Sequence, residues 1–200
     1  MMALSDRVSM TVDRASFDDL VTLVTQAPPW EKDRVQGVRV LLRAISEGRP
    51  DAPEQILARW TWRLARTVRK VLDRKASGEY PEAKRLLGAL ANSRGHRHEE
   101  NAAKLAAAAT ELPIATAAAL LASGEGYTPR ANQALEGARE QLGTIAEVAG
   151  ALADDLPAPK AHPGRRRRRR RKKKPVAAAQ SAQQQAQAPT EPAPAEPTKT

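Results

Sequence analysis

Ten consecutive basic residues near the C-terminal end are the strongest chemical signal in this chain. Without them, the 33 lysines and arginines fall to 23, which equals the 23 aspartates and glutamates, so the rest of the chain has no formal net charge. A run of like charges with nothing apolar to bury does not fold alone; it stays solvated or lies on a polyanion. This polybasic block consists of Arg165, Arg166, Arg167, Arg168, Arg169, Arg170, Arg171, Lys172, Lys173 and Lys174.

The chemistry that suits the polybasic block is pairing with phosphates. An extended chain rises about 3.1 Å per residue, so the block reaches along about 30 Å, and duplex DNA presents one phosphate charge per about 1.7 Å. Contacts with the phosphate backbone carry no sequence information, which predicts binding without base readout. Anionic lipid headgroups or a nuclear-import receptor would attract the same charges, but no apolar anchor accompanies the block. We therefore favour nucleic acid as the partner, DNA over RNA, and expect no membrane insertion.

A second group of basic residues surrounds Trp62 on a predicted helix. Leu57, Trp60 and Leu64 gather on one face of that helix and should be buried, while Trp62 falls among the basic residues of the other side. Guanidinium groups three and four residues apart can follow phosphates while an exposed indole stacks on a base. Alternatively, Trp62 packs beneath another helix, where arginine stems often cover an aromatic ring. The candidate binding residues on this helix are Arg59, Trp62, Arg63, Arg66, Arg69 and Lys70.

Signals for catalysis or metal binding are weak throughout. His96 and His98 lie in a polar stretch, residues 92–98, that we interpret as a loop, and two histidines without a further ligand are more typical of a turn than of a metal site. The chain contains no cysteine, no glycine-rich phosphate loop and no serine-centred nucleophile motif. We therefore predict no catalytic residue, no metal and no cofactor, in a protein that is not an enzyme.

Apolar residues recur three and four positions apart along most of the chain, and this spacing predicts an all-α fold, a small helical bundle. No segment alternates between apolar and polar residues as a strand would. The predicted organisation is a flexible arm over residues 1–15, a bundle domain over 16–156, and a disordered tail over 157–200 that contains the polybasic block. Within the bundle we expect a long helix over residues 51–77 and an unbroken final helix over 128–156.

The predicted final helix carries a coiled-coil pattern for just over three heptads. Its members are Ala131, Leu135, Ala138, Leu142, Ile145, Ala149 and Leu152. Packing against the alanine-rich helices that precede it is the interpretation we favour, because heptad runs this short usually pack inside bundles. A homodimer or a protein partner docked through Leu135, Leu142, Ile145 and Leu152 remains the alternative.

These patterns together predict a non-enzymatic nucleic-acid-binding protein that holds the phosphate backbone largely without sequence specificity. The N-terminal residues lack the apolar stretch of a secretory signal, and the longest apolar run is too short to cross a bilayer. We expect a cytoplasmic location, at the nucleoid if the source is bacterial, as the abundance of alanine, arginine and proline indicates. The alternative is an adaptor whose helical body binds a protein while the tail recruits it to an anionic surface.

Overall fold

A computed structural model describes residues 2–29 and 33–158 of the chain, and these residues form ten helices and no strand. The predicted all-helical bundle is therefore confirmed for this part of the chain. The polybasic block and the rest of the predicted tail from residue 159 onward lie outside the described residues. The helices are α1 (Leu4–Thr11), α2 (Phe17–Gln26), α3 (Arg34–Ser46), α4 (Glu54–Thr67), α5 (Arg69–Glu79), α6 (Pro81–Ala91), α7 (Gly95–Thr110), α8 (Ile114–Ser123), α9 (Pro129–Gln141) and α10 (Ile145–Asp155).

The core of the bundle is built around α8. Every residue from Thr116 to Ala122 is buried, so this helix has no face turned to solvent along that stretch. A helix that is apolar all round belongs in the interior, and its alanines let neighbouring backbones approach closely. Helices α4 to α7, α9 and α10 all pack against α8, while α3 pairs with α10 and α7 pairs with α9. No helix in the described ranges is long and apolar enough to cross a membrane.

The N-terminal residues do not form the predicted arm. Leu4 and Val8, one turn apart on α1, are buried against α3, and Val12 follows them into the core. Gly37 of α3 lies beneath this contact, where an added Cβ would come within 3.2 Å of a Val24 methyl group and 3.8 Å of Leu4 Cγ. The prediction failed because apolar residues four positions apart over one short helix, Leu4, Val8 and Val12, are a weak sequence signal, whereas the tertiary contact buries all three.

The predicted helix over residues 51–77 is two helices, because the chain changes direction at Val68. This residue leaves helical geometry, with φ −108° and ψ 13°, and its carbonyl accepts the first hydrogen bond of α5, from the amide of Val71 at 2.8 Å. Val68 and Leu72 are both buried, and α5 packs on α8 and α6. No glycine or proline marks the break. The break lets both α4 and α5 pack on the core, and the local sequence does not encode it.

The predicted final helix is also two helices, joined by Leu142, Gly143 and Thr144. Gly143 has φ +126°, which only glycine adopts without strain. Thr144 then begins α10 with a capping box: its Oγ1 accepts the Glu147 amide at 3.3 Å, and its own amide donates to Glu147 Oε2 at 2.9 Å. The heptad pattern is therefore no continuous seam, since α9 packs on α7 and α10 on α3.

The structure does not support partner binding through the coiled-coil pattern. Leu135, Leu142 and Leu152 are buried within this chain, and Ile145 is half-buried at the start of α10. The three leucine side chains fill the interior of the bundle, so they are not available to a second copy. Intramolecular packing, which we favoured, is the outcome.

The break at Gly143 predicts that alanine substitution changes the free energy of unfolding in opposite directions at two glycines. Gly143→Ala should lower the free energy of unfolding by about 1–2 kcal/mol, since alanine is strained at φ +126°. Gly137→Ala in α9 should instead raise it by about 0.5–1 kcal/mol, because an added Cβ meets nothing within 4 Å and alanine is the better helix former. Urea denaturation of the two variants measures both. In an unbroken helix both substitutions would stabilise, which would contradict this structure.

Candidate functional site

The side of α4 turned away from the core forms one wall of a groove. Trp60, Leu64 and Ala65 are buried on the inner face, and the Trp60 indole nitrogen donates to Asp18 of α2 at 2.7 Å, which fixes the rotation of the helix. The groove has a volume of about 510 Å³ and lies between α4, α9 and the first residue of α10. Its lining residues are Gln55, Ala58, Arg59, Trp62, Arg63, Arg66, Glu136, Arg139, Glu140 and Ile145.

Trp62 is not the exposed ring that nucleic-acid stacking would need. Only 9% of its surface is accessible, and the Arg139 guanidinium carbon lies 5.3 Å from the centroid of its ring. The hypothesis of an exposed Trp62 is therefore wrong, and the alternative of packing beneath another helix is confirmed. The residue forms the floor of the groove, where its indole supports a cation from α9.

Arg139 is a buried cation that joins the groove to the central helix. Its Nη2 donates to the carbonyls of Leu121 and Gly124, at 3.3 Å for the latter, and its Nη1 pairs with Glu136. Those carbonyls end α8, where a helix carries partial negative charge and lacks internal donors. Burial lowers the pKa of Arg139, the Glu136 carboxylate opposes this shift, and the nearby Arg66 guanidinium adds to it.

The two walls of the groove carry opposite charge. On the α4 wall, Arg59, Arg63 and Arg66 are exposed. Arg59 lies 3.9 Å from Asp18, and Arg63 donates to the Thr22 hydroxyl at 3.4 Å. Arg66 has no carboxylate partner among the residues that the structure describes. On the α9 wall stand two carboxylates, Glu136 and Glu140.

The remaining predicted residues of the basic helix do not join this groove. Arg69 belongs to α5, pairs with Glu125 at 2.8 Å, and lines a separate hollow of about 220 Å³ beside Tyr127. Lys70 is exposed and lines neither space. The chain bends at Val68, and this bend separates Arg69 and Lys70 from Arg59, Arg63 and Arg66. The expectation of one continuous basic face is therefore wrong. The ten residues of the polybasic block lie outside the described ranges.

His98 has a structural role that the sequence did not reveal. It is wholly buried in α7, which begins at Gly95, so helix replaces the predicted loop from three residues before it. Its Nε2 accepts the Tyr127 amide at 3.0 Å, and its Nδ1 lies 3.1 Å from the Leu90 carbonyl, to which it must donate. These contacts require a neutral imidazole with the proton on Nδ1. His98 thus ties α6, α7 and the segment before α9 together.

His96 and the acidic residues that follow it do not assemble into a metal site. His96 is exposed on the first turn of α7, and its ring nitrogens lie 3.8 Å from Glu99 and 3.2 Å from Glu100 on the same helix. Within residues 2–29 and 33–158, no group of three histidine or carboxylate side chains is placed to hold a metal ion. The contacts of His96 are therefore with the neighbouring carboxylates of Glu99 and Glu100 on α7.

No protein-family model, curated protein or solved structure matches this chain. The functional argument consequently depends on the groove and on the distribution of charge along the chain.

The role of Arg139 predicts a large loss of stability when its charge is removed. Arg139→Gln leaves the Leu121 and Gly124 carbonyls without their donor and removes the cation over Trp62, so the free energy of unfolding should fall by about 2 kcal/mol. Arg130→Gln, on the same helix but with a side chain 79% exposed, should change it by less than about 0.5 kcal/mol. Denaturant titrations followed by tryptophan fluorescence compare the two. Equal effects would contradict the structural role.

A second prediction concerns Asp73 of α5, which accepts a hydrogen bond from the Ser123 hydroxyl of α8. Burial raises the pKa of Asp73, while the Ser123 hydrogen bond and the Arg69 charge oppose the shift. Because its pKa is higher in the folded than in the unfolded protein, its contribution to stability is full below the unfolded pKa. That contribution is lost as the pH rises through the folded pKa.

Asp73→Asn keeps an acceptor for Ser123 without the charge. It should raise the free energy of unfolding at neutral pH, and the gain should vanish as the pH falls below the usual carboxyl range. Urea denaturation at several pH values measures this. A variant less stable than the wild type at neutral pH would show that the ionised form is the favoured one.

Proposed function

We propose that this chain is a non-enzymatic nucleic-acid-binding protein that holds the phosphate backbone through its polybasic block, with a lesser contribution from the arginines of α4. DNA is favoured over RNA, and binding is largely independent of sequence. In a cell the protein would act in the cytoplasm, associated with the nucleoid if the source is bacterial.

The observation that carries this proposal is the concentration of charge in the block. The chain has a formal net charge of +10, and the ten residues from Arg165 to Lys174 account for all of it. Each cation that contacts a phosphate releases condensed counterions, and this release supplies most of the free energy of binding that does not depend on sequence. A neutral body with one dense run of cations is suited to backbone binding at many positions along a polymer.

The α4 wall adds a smaller, fixed set of cations. Arg59 and Arg66 are seven residues apart, with Arg63 between them, which is about 10 Å at the rise of an α-helix. Successive phosphates of one helical nucleic-acid strand rise by about 3.4 Å, which allows about three phosphates of a strand along that length. Since Trp62 is covered by Arg139, this side of α4 offers phosphate contacts and its indole is no platform for a base. This supports binding that reads the backbone.

The adaptor hypothesis loses the surfaces on which it was based. Leu135, Leu142 and Leu152 fill the interior of the bundle, and Trp62 forms the floor of a groove. Of the four residues predicted to contact a protein partner, Ile145 alone is half-buried and lines the groove. The polybasic block can bind a phosphate-bearing partner without any further surface of the body. Nucleic-acid binding is therefore the function we favour.

Replacing all ten residues of the polybasic block by glutamine in the full-length chain should flatten the salt dependence of binding. For duplex DNA the slope of log K against log salt loses about 0.9 for every phosphate contact removed, so the change approaches about 9 if all ten cations are engaged. Fluorescence anisotropy of a labelled duplex, titrated at several salt concentrations, measures the slope.

The matched control replaces Arg165 to Arg171 by lysine, which keeps every charge. Its slope should equal that of the wild type, because counterion release depends on charge and not on guanidinium geometry. A wild-type slope in the glutamine variant would show that the block takes no part in binding. If the intact chain fails to bind duplex DNA, single-stranded DNA and RNA at low salt, the proposed function is wrong.

A further inference from the structure

The groove between α4 and α9 has arginines on one wall and glutamates on the other, and a surface that only binds phosphates does not need the glutamates. Three guanidinium groups, those of Arg59, Arg63 and Arg66, stand on the α4 wall. Glu136 and Glu140 stand one turn apart on the α9 wall. Glu136 is paired with Arg139, whereas Glu140 is exposed and makes no ion pair with any residue in the described ranges. Any occupant therefore meets cations on one side and a carboxylate on the other.

The groove is held open by the core of the protein. α4 and α9 each pack on α8 and are not packed along each other, so the central helix sets the distance between the walls. Arg139 reinforces this spacing, since it stacks on Trp62 of α4 and donates to the carbonyls at the end of α8. The walls therefore do not need to rearrange to admit a ligand, and less ordering entropy is lost on binding.

A wall of carboxylates opposite the arginines would favour one strand over two. A single strand can place its phosphates along the α4 wall and present nothing negative to α9. A duplex on the same arginines carries a second line of phosphates across its groove, and these approach Glu136 and Glu140. Like charges brought together in this way disfavour the unwanted partner, as in interfaces that are specific through repulsion.

The same wall also distinguishes between bases. A carboxylate only accepts hydrogen bonds, so it can bind an exocyclic amino group, which cytosine, adenine and guanine possess. Thymine and uracil lack this amino group, and their one donor on that edge, the ring N3–H, is flanked by two carbonyl oxygens that a carboxylate repels. A strand whose phosphates follow α4 directs its bases across the groove toward Glu140, the carboxylate without a partner in the described residues.

We infer that the groove between α4 and α9 is a binding site for single-stranded nucleic acid, in which Arg59, Arg63 and Arg66 hold the phosphates and Glu140 accepts hydrogen bonds from base amino groups. This inference depends on the proposed function and deepens it. The polybasic block supplies affinity for any phosphate polymer, whereas the groove selects single strands that contain amino-bearing bases.

The test uses the full-length chain with the polybasic block replaced by glutamine, so that binding reports on the body. The probes are oligodeoxycytidylate, oligothymidylate and a duplex, each of about 12 nucleotides, a length within the range of known single-strand sites. Anisotropy at low salt should show oligodeoxycytidylate bound about fivefold more tightly than oligothymidylate, as expected for one added hydrogen bond to a base. The duplex should bind more weakly than either strand.

Two pairs of variants on this background assign the effect to its residues. Glu140→Ala should remove the preference for cytosine and strengthen duplex binding, whereas Glu111→Ala, an exposed carboxylate outside the groove, should change neither. Arg63→Gln with Arg66→Gln should weaken the binding of both single strands about tenfold, whereas Arg94→Gln with Arg97→Gln removes equal charge elsewhere and should have a smaller effect. Circular dichroism confirms that each variant is folded.

The inference is overturned if the body binds oligodeoxycytidylate and oligothymidylate equally, or binds the duplex as tightly as a single strand. It is also overturned if polyglutamate displaces bound oligodeoxycytidylate as readily as oligothymidylate does. The last result would identify a general anion site. These outcomes differ from a failure of the proposed function, in which the unmodified chain binds no nucleic acid at low salt. An intact chain that binds nucleic acid, with a body that does not discriminate, would refute the groove alone.

Discussion

The burial of α8 on all sides is the constraint on which the rest of the structure depends. Its alanines leave so little side-chain bulk that α4, α5, α7, α9 and α10 can all approach the same short helix. Each of these neighbours must turn an apolar face inward, and the polar faces are thereby directed outward. The two walls of the groove are therefore a consequence of the core, because α4 and α9 both pack on α8.

Burial of that helix creates a difficulty that Arg139 resolves. The carbonyls at the end of a buried helix need donors, and water does not reach them. Arg139 supplies two of these hydrogen bonds from α9, and the cost of burying its charge is reduced by Glu136, by the negative end of the helix dipole and by the Trp62 ring. One side chain thus satisfies the core and forms the floor of the groove. This dual role explains why the most prominent aromatic residue of the basic helix is covered.

Several parts of the fold and of the site were readable from local patterns, and others were not. Apolar spacing predicted the helices, and the basic side of α4 was identified from Arg59, Arg63 and Arg66. The break at Gly143 was also encoded, since a glycine followed by Thr144 and Glu147 is a helix end and a capping box, but the heptad pattern concealed it. No local pattern predicts three other features: the bend at Val68, the burial of His98 and the contact of Arg139 with Trp62. They depend on packing or on contacts between residues that are distant in sequence.

The amino-acid sequence by itself determined that this protein is helical, that its body is electrically balanced, and that its net charge is concentrated in one run of ten residues. These properties follow from composition and from periodicity over one or two turns. Tertiary structure alone decided which helices break, which polar residues are buried, and which charges face each other across the groove. Those outcomes depend on the packing of helices around α8, where the free energy of burial outweighs the weaker preferences of individual residues.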